Sequence, residues 1–397
     1  MPGASLLDCY SPTGQYLDSI NDWTRIECTM SEMGVGTLII DVPPTHDPSL
    51  YQRDGRIAYR RDTTPLQFSA RMRLVGNTTW LIARRQLIVD RDQSQAVRIT
   101  CVHPNALLAR RVVAYAEASA EAKKTALADN MIKAIVRENF VSATDTDRNW
   151  SSAFFTVEAD TSASASIDKE MSYRMVLQVC QEIAAAASAG IYTGFEVYSP
   201  LETGPYALRT YTGQRGTDRS STSGQVLTLG IAYGSLGDTE LDENWMEMVS
   251  FVYASGSGKQ NQRIVQPTSD AALIAASPYG RIEWLQNVTQ TSDTAVLLSE
   301  GARALRERRP RLLFTGAVRE TEYATFMDEY DWGDRVVGEF PASFRAHGFT
   351  WAAPTESFDC RVDPVKIVVE RTEDRETGEI IEAEALDVRL RGEVVLS

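Results

Sequence analysis

Between residues 24 and 100 apolar side chains recur at every second position: Ile26 with Cys28, Leu38 with Ile40, then Leu66, Phe68, Ala70, Met72 and Leu74 in one series. A period of two sends alternate side chains into a core and into water, which is the pattern of a β-strand and not of a helix. Gly76-Asn77 breaks the series before it resumes over 80–89, as a turn needing positive φ would, and Val97, Ile99 and Cys101 carry it on. Roughly six strands in about eighty residues, without helical spacing, predict an antiparallel barrel or sandwich.

The period then changes. His103-Pro104 closes the first run, because proline suits the first turn of a helix and biases the preceding residue towards extended backbone. Leu127, Met131 and Ile135, with Ile132 and Val136 beside them, predict an amphipathic helix up to Phe140, with a shorter one over 107–118. Met171, Met175, Val179 and Ile183 predict another, running out in alanines before Gly190. Beyond it, 192–198 and 206–212 read as a hairpin pair and 226–233 as a further strand. Asp293 suits the cap of a helix facing inward through Leu297, Gly301 and Leu305 and ended by Pro310, and a final hairpin is expected over 365–370 and 380–391. With 397 residues, of which 43% are apolar and 24% charged, the chain has material for several cores. The expected division is 1–102, a β-barrel; 103–245, a second β-rich unit containing helices; 246–310, a strand-helix return segment; and 311–397, a C-terminal β-unit.

Chemistry is harder to find. The net charge of −14 repels a phosphate backbone, and the short basic stretches Arg84-Arg85, Arg110-Arg111 and 306–311 are interrupted by acids, so tight duplex binding is not expected. A phosphate loop ending at Gly258-Lys259 requires a glycine where Tyr253 stands and Ser or Thr where Gln260 stands. His46, His103 and His347 are scattered, and the five cysteines, Cys9, Cys28, Cys101, Cys180 and Cys360, form no C-x-x-C pair, which argues against a zinc centre and for buried free thiols. There is no G-x-S-x-G elbow. The densest carboxylates, Asp328, Glu329, Asp331 and Asp334, surround Gly333 ahead of a strand and read as a turn. The sequence therefore assigns no catalytic, cofactor-binding or metal-binding residue and implies no cofactor. No stretch reaches eighteen apolar residues and no signal peptide is apparent at the start, so the expected compartment is the cytosol and no membrane partner is expected.

The phrase T-E-Y-A-T-F-M-D-E-Y-D-W-G-D-R-V over 321–336 resembles a phrase in siphophage tail proteins of the baseplate-hub (tail-tip hub) family, where L-G-D-x-V marks the last domain. Trp332 stands in place of the leucine, while Asp331, Gly333, Asp334 and Val336 match. Arg263-Ile264, Tyr279-Gly280-Arg281-Ile282-Glu283 and the helix with Leu297, Ala302 and Leu305 are similar to that family's middle segment, and Trp23-Thr24-Arg25, Gly34-Val35-Gly36-Thr37 and Asp54-Gly55-Arg56-Ile57 to its opening. Residues 118–253 are not covered. The resemblance implies a β-dominated α+β, multi-domain chain with tail-tube-like antiparallel β-barrels and flanking helices. It further implies a structural subunit joining tail tube to tip in a virion assembled in the host cytoplasm, and a homo-oligomer, most simply a trimer. Its neighbours would be tail-tip, distal tail and tail-tube proteins, with genomic DNA passing through the lumen without specific binding. Competing readings are a receptor- or saccharide-binding tail module using Trp80, Trp245, Trp284 and Trp351, and a tail-associated cell-wall hydrolase using the 328–334 carboxylates.

Overall fold

The computed structural model describes residues 5–62, 72–89, 95–114, 123–171, 173–188, 191–258, 263–288, 291–339, 357–373 and 380–395. The first strands are β1 (Ser5–Tyr10), β2 (Tyr16–Ile20), β3 (Arg25–Met30), β4 (Thr37–Val42), β5 (Arg56–Asp62), β6 (Met72–Leu74), β7 (Trp80–Val89) and β8 (Gln95–Val102). They pair antiparallel throughout, from β2 through β1, β5, β7, β8 and β4 to β3. The alternation read from the sequence is the alternation observed: Ile26, Cys28, Leu38, Ile40, Ile99 and Cys101 are fully buried. Between β6 and β7, Gly76 and Asn77 take φ of 72° and 53°, as the turn requires. Leu66, Phe68 and Ala70 lie outside the described residues.

The middle of the chain forms β9 (Lys123–Leu127), α1 (Ala128–Val136), β10 (Phe155–Val157), β11 (Ser166–Glu170), α2 (Val176–Ala187), β12 (Thr193–Tyr198) and β13 (Tyr206–Thr212). The 192–212 hairpin is present as β12 and β13, but β10 joins β13 in parallel, and β9 and β11 make a separate two-stranded ladder. Met131, Ile132, Ile135 and Val136 of α1 and Val179 and Ile183 of α2 fill one core with Phe155, Phe195 and Leu208. The helix containing Val179 starts later than its apolar spacing suggests, because β11 extends to Glu170 and Met175 still has extended backbone. The expected helix over 107–118 is, where described, a seven-residue 3-10 helix at Pro104–Arg110. With two helices packed into a core beside a mixed three-stranded sheet, this segment is not a second copy of the first. No pairing closes either sheet into a barrel among the described residues.

Then come β14 (Asp218–Arg219), β15 (Thr228–Gly230) and β16 (Leu236–Asn244), and a small unit of β17 (Phe251–Ser255), β18 (Val265–Ser269), α3 (Ala271–Ala276), β19 (Glu283–Asn287) and α4 (Thr294–Glu307). The strand expected over 226–233 shrinks to β15. Asp293 caps α4 as predicted, its Oδ1 accepting from the backbone N–H of Ala295 at 2.8 Å. Gly301 lets α4 lie against the sheet, since a Cβ there would stand 2.7 Å from Thr268 Oγ1 and 3.4 Å from Ala254 Cβ.

The chain ends in β20 (Arg311–Val318), β21 (Arg335–Glu339), β22 (Ser357–Glu373) and β23 (Ile380–Val395). The last two are the expected hairpin, longer at both ends. β22 pairs antiparallel with β3, setting Ile367 opposite Cys28 and Val369 opposite Ile26. Strands of the expected first and last units thus belong to one fifteen-stranded sheet, whose main path runs β16-β20-β23-β22-β3-β4-β8-β7-β5-β1-β2. They share one core: Leu7, Ile40 and Ile99 lie in the same cluster as Phe314, Ile367 and Leu390. Trimming fully buried Ile367 to Ala is expected to cost about 2–5 kcal/mol. In urea, tryptophan fluorescence and far-UV circular dichroism should report one shared transition for both ends of the chain.

Candidate assembly site at the Trp332 junction

The phrase that carries the sequence resemblance sits where three parts of the chain meet. Arg215, in the loop after β13, is buried; its Nε donates to Glu196 Oε2 of β12 at 2.6 Å, Nη1 to the Trp332 carbonyl at 3.0 Å and Nη2 to the Gly76 carbonyl at 3.1 Å. Its guanidinium lies 4.0 Å from the centre of the Trp332 ring, a close cation–π contact. On the far side, Trp332 Nε1 donates to Asp363 Oδ1 of β22 at 3.1 Å, and the same oxygen accepts the Glu32 backbone N–H at 2.9 Å. One tryptophan therefore ties the β6–β7 turn, the middle segment and the C-terminal hairpin together. Gly333 has φ of +80°, and a Cβ on it would fall 2.6 Å from the Arg215 Cβ, so the position excludes a side chain on two independent grounds.

Burial pushes the Glu196 carboxyl up, and Arg215 and Arg209 together outweigh it and hold the group below its ordinary range. His103 stands edge-on to Trp80 and Trp332 at 5.6 and 5.9 Å, its Nδ1 accepting the Asn105 backbone N–H, and burial pushes it down to about 4. Neither Arg215 nor Glu196 stood out in the sequence. They are nineteen residues apart and meet Trp332 117 residues further on, so no local spacing marks them.

The four carboxylates of 328–334 do not converge on a cleft. Asp334 Oδ1 accepts the Thr217 backbone N–H at 2.6 Å and Oδ2 that of Asp331 at 3.0 Å, while Asp331 Oδ1 accepts that of Trp332 at 2.7 Å. Burial raises both above the ordinary carboxylate range. Their oxygens are engaged in fixing the turn that presents Trp332. At Gly256 and Ser257 the backbone N–H groups already donate to the carbonyls of Ile264 and Thr291, so they are not turned to a phosphate; Lys259 lies outside the described residues. Of the tryptophans, Trp80 is buried, Trp245 after β16 and Trp284 on β19 are exposed, and Trp351 lies outside the described residues. His46 bonds Tyr51 and Asp22, His347 is not described, and no group of His, Cys, Asp and Glu suited to a metal occurs among the described residues. All five cysteines are buried, and burial raises every thiol.

A polar cavity of about 290 Å³ separates the middle segment from the small unit. Its charges answer one another in a relay: Arg174 to Glu182, Glu182 to Lys169 at 2.8 Å, Lys169 to Glu300 at 2.5 Å, Glu300 to Arg303 at 2.9 Å. Three cations face three carboxylates, counting Glu170, so the lining offers an ionic ligand no net charge.

Residues 6–378 match the model of one protein family, the Siphovirus ReqiPepy6 Gp37-like proteins. The chain belongs to that family. The match upholds the siphophage resemblance drawn from 321–336 and extends through 118–253, which the sequence phrases left uncovered. Among solved structures, the chain is similar to prophage tail protein gp18 from Listeria monocytogenes EGD-e, with a TM-score of 0.49 and 10% identity over 98% of this chain and 94% of that one. It is also similar to the E. coli c3393 protein, described as a type VI secretion component resembling T4 tail proteins gp27 and gp5. There the TM-score is 0.45 and the identity 11%, over 96% and 75% of the two chains. No curated protein matches it.

Two outcomes are expected at this junction. Arg215→Met, which leaves buried Glu196 with Arg209 as its one remaining cation among the described residues, should cost about 3 kcal/mol in urea melts, with part restored by adding Glu196→Gln. His103, neutral in the fold at a pH where the unfolded chain already protonates it, should make stability fall as pH drops from about 6.5 towards 4, by up to roughly 3 kcal/mol. Thermal melts of His103→Gln should show a flatter profile across that window.

Proposed function

We propose that this chain is a structural subunit of the phage tail tip, a hub that connects tail tube to tip and forms part of the DNA channel. The observation that carries the reading is that, in a member of a siphovirus family, both ends of the chain enter one sheet, antiparallel along its main path, whose path ends at two different edge strands, β2 and β16. Among the described residues, each edge leaves a row of backbone donors and acceptors without a strand partner, which a free molecule has to blunt and an assembly can cover. A closed ring covers such edges without generating a filament, and a trimer is the smallest ring that fits a threefold tip. The division into 1–102, 103–245, 246–310 and 311–397 then describes stretches of sequence with separate roles, the first and last building the sheet together. Its partners are further copies of itself and the distal tail and tail-tube proteins, with DNA passing unbound.

A non-enzymatic role is favoured by the 328–334 carboxylates, which hold a turn instead of facing each other across a groove. Trp245, in the connection after β16, and Trp284 of β19, 55% and 38% exposed, support saccharide binding as a second reading. It ranks second because Arg308 already lies 3.7 Å from the centre of the Trp284 ring and occupies one of its faces.

Native mass spectrometry of the purified protein is expected to give a trimer. A monomer at every concentration, absent from ring positions in imaged tail tips, would overturn the hub. Digestion of peptidoglycan that is lost in the Asp331→Asn, Asp334→Asn double variant would overturn the non-enzymatic role.

A further inference from the structure

The small unit is joined to the rest of the chain through a narrow neck. Its sheet, β18-β17-β19, shares no strand with any other among the described residues, and its core, around Val249, Val252, Ala304 and Leu305, is separate from the two larger ones. The chain enters over 245–250 and leaves over 308–310, and these connections lie side by side. The Val249 backbone N–H donates to the Arg308 carbonyl at 3.2 Å, while Met246 is 94% exposed. Two adjacent connections at one end of a unit form a place about which it can turn, because residues at the ends of elements absorb the backbone changes of a hinge.

Away from the neck the unit rests on the middle segment through α4, which lies against β11. Polar groups bridge that contact. Lys169 Nζ of β11 donates to Glu300 Oε1 of α4 at 2.5 Å, Lys123 of β9 pairs with Asp293 at the head of α4, and Arg306 Nη2 donates to the Ala186 carbonyl at 3.2 Å. The cavity of about 290 Å³ lies beside them, walled by Lys169, Arg174 and Glu182 on one side and by Thr291, Glu300 and Arg303 on the other. A polar cavity of this size takes in water, so the contact is not the close-packed, dry kind that joins Arg215 to Trp332. Lys169 holds the two sides together, touching Glu182 on its own side at 2.8 Å and Glu300 across the gap.

The physics of such a contact differs from that of an apolar one. Opening an apolar interface exposes every group that closing had buried. When an ionic interface opens, each charge recovers its hydration, and the desolvation needed to close it again roughly offsets the attraction gained. A unit held this way stands near balance between docked and undocked arrangements, so a change at one cation shifts the population.

We infer that the small unit is a hinged module, turning on the neck of 245–250 and 308–310 and latched to the middle segment by Lys169 between Glu182 and Glu300. Hinge and latch lie within one copy of the chain, so the inference goes beyond the hub reading and does not rest on it.

The test measures the distance between spin labels on Ala185→Cys of α2 and Ala275→Cys of α3, both exposed positions, in a chain whose five native thiols are buried. Labelled protein is diluted with unlabelled protein, so that only distances within one copy are read. The labelled parent at low salt is expected to give one distance. Lys169→Met leaves Glu182 and Glu300 facing each other without the cation that joins them, and should raise the population at a longer distance at least tenfold with far-UV circular dichroism unchanged. Adding Glu300→Leu removes the repulsion and leaves Arg174 paired with Glu182 and Arg303 with Glu307. That double variant should return to the single short distance and keep it in about 1 M salt, where the parent opens. Lys169→Met keeping the parent's distance, or the double variant opening as the single one does, overturns the inference. So does an identical salt response in parent and double variant, a comparison that decides the matter even where Lys169→Met does not fold. Oligomeric state enters none of these outcomes, and the hub reading stands or falls separately.

Discussion

The antiparallel pairing of β3 with β22 is the constraint on which the rest of the structure depends. It brings Ile26 and Cys28 against Val369 and Ile367, more than three hundred residues apart in sequence, and so turns two sets of strands into one sheet over one core. Closing so long a loop is entropically expensive, but the expense grows only logarithmically with length. The return is a run of fully buried apolar residues on both sides of the seam. Once that seam is fixed, the stretch from β9 to β13 becomes an insertion that leaves the sheet and comes back to it at β14, β15 and β16, and the small unit from β17 to α4 becomes a second one.

That requirement explains the chemistry at Trp332. The inserted middle segment has its own core, built on α1, α2 and β12, and it meets the sheet where Glu196, Arg215 and the 330–334 turn come together. Apolar packing alone would let two preformed cores slide over one another. A buried guanidinium that must find one carboxylate and two carbonyls while lying flat on an indole admits far fewer arrangements, so the ion pair adds specificity of docking more than net stability. The small unit is attached on the same principle: Lys169 of β11 is buried between Glu182 and Glu300, and Lys123 pairs with Asp293 at the head of α4.

How much of this was legible in the sequence follows from which interactions are local. Period-two spacing located β3, β4, β7 and β8 because each strand records its own inside and outside. The turn at Gly76-Asn77 and the cap at Asp293 were legible for the same reason, since the residues that make them are the residues that need them. The start of the second long helix was misjudged at Met171 and Met175 because methionine fills a core equally well from a strand end or an extended linker. The seam itself was invisible: β3 and β22 each look like one more half-buried strand, and nothing in either names the other. The same holds for Arg215 and Glu196, whose partners are set by the fold. The 321–336 phrase was the exception, a local signature of a non-local junction, with Gly333 and Asp334 identified by pattern before their contacts with Arg215 and Thr217 gave the reason.

The distribution of charge limits where a DNA channel could run. On the outward face of the main sheet, cations and carboxylates alternate across neighbouring strands: Glu370 faces Arg25 at 3.6 Å, Arg25 and Lys366 meet Glu27 at 2.6 and 2.7 Å, and Arg98 meets Asp41 at 2.7 Å. Such pairs at the sheet surface contribute little stability each where they are open to water, but they cancel one another's field within a few ångströms and leave that face without a dominant sign. The excess of carboxylates must therefore lie elsewhere, and the β16 edge is one place where it does. A wall of cancelled pairs neither holds nor repels a passing phosphate backbone, whereas a wall of uncancelled carboxylates repels it along its whole length. If the chain encloses DNA, the outward face of β3, β4, β8 and β22 suits contact with other proteins, and the repelling wall has to be built from the uncancelled acids, which the net charge guarantees and the paired ladder does not consume.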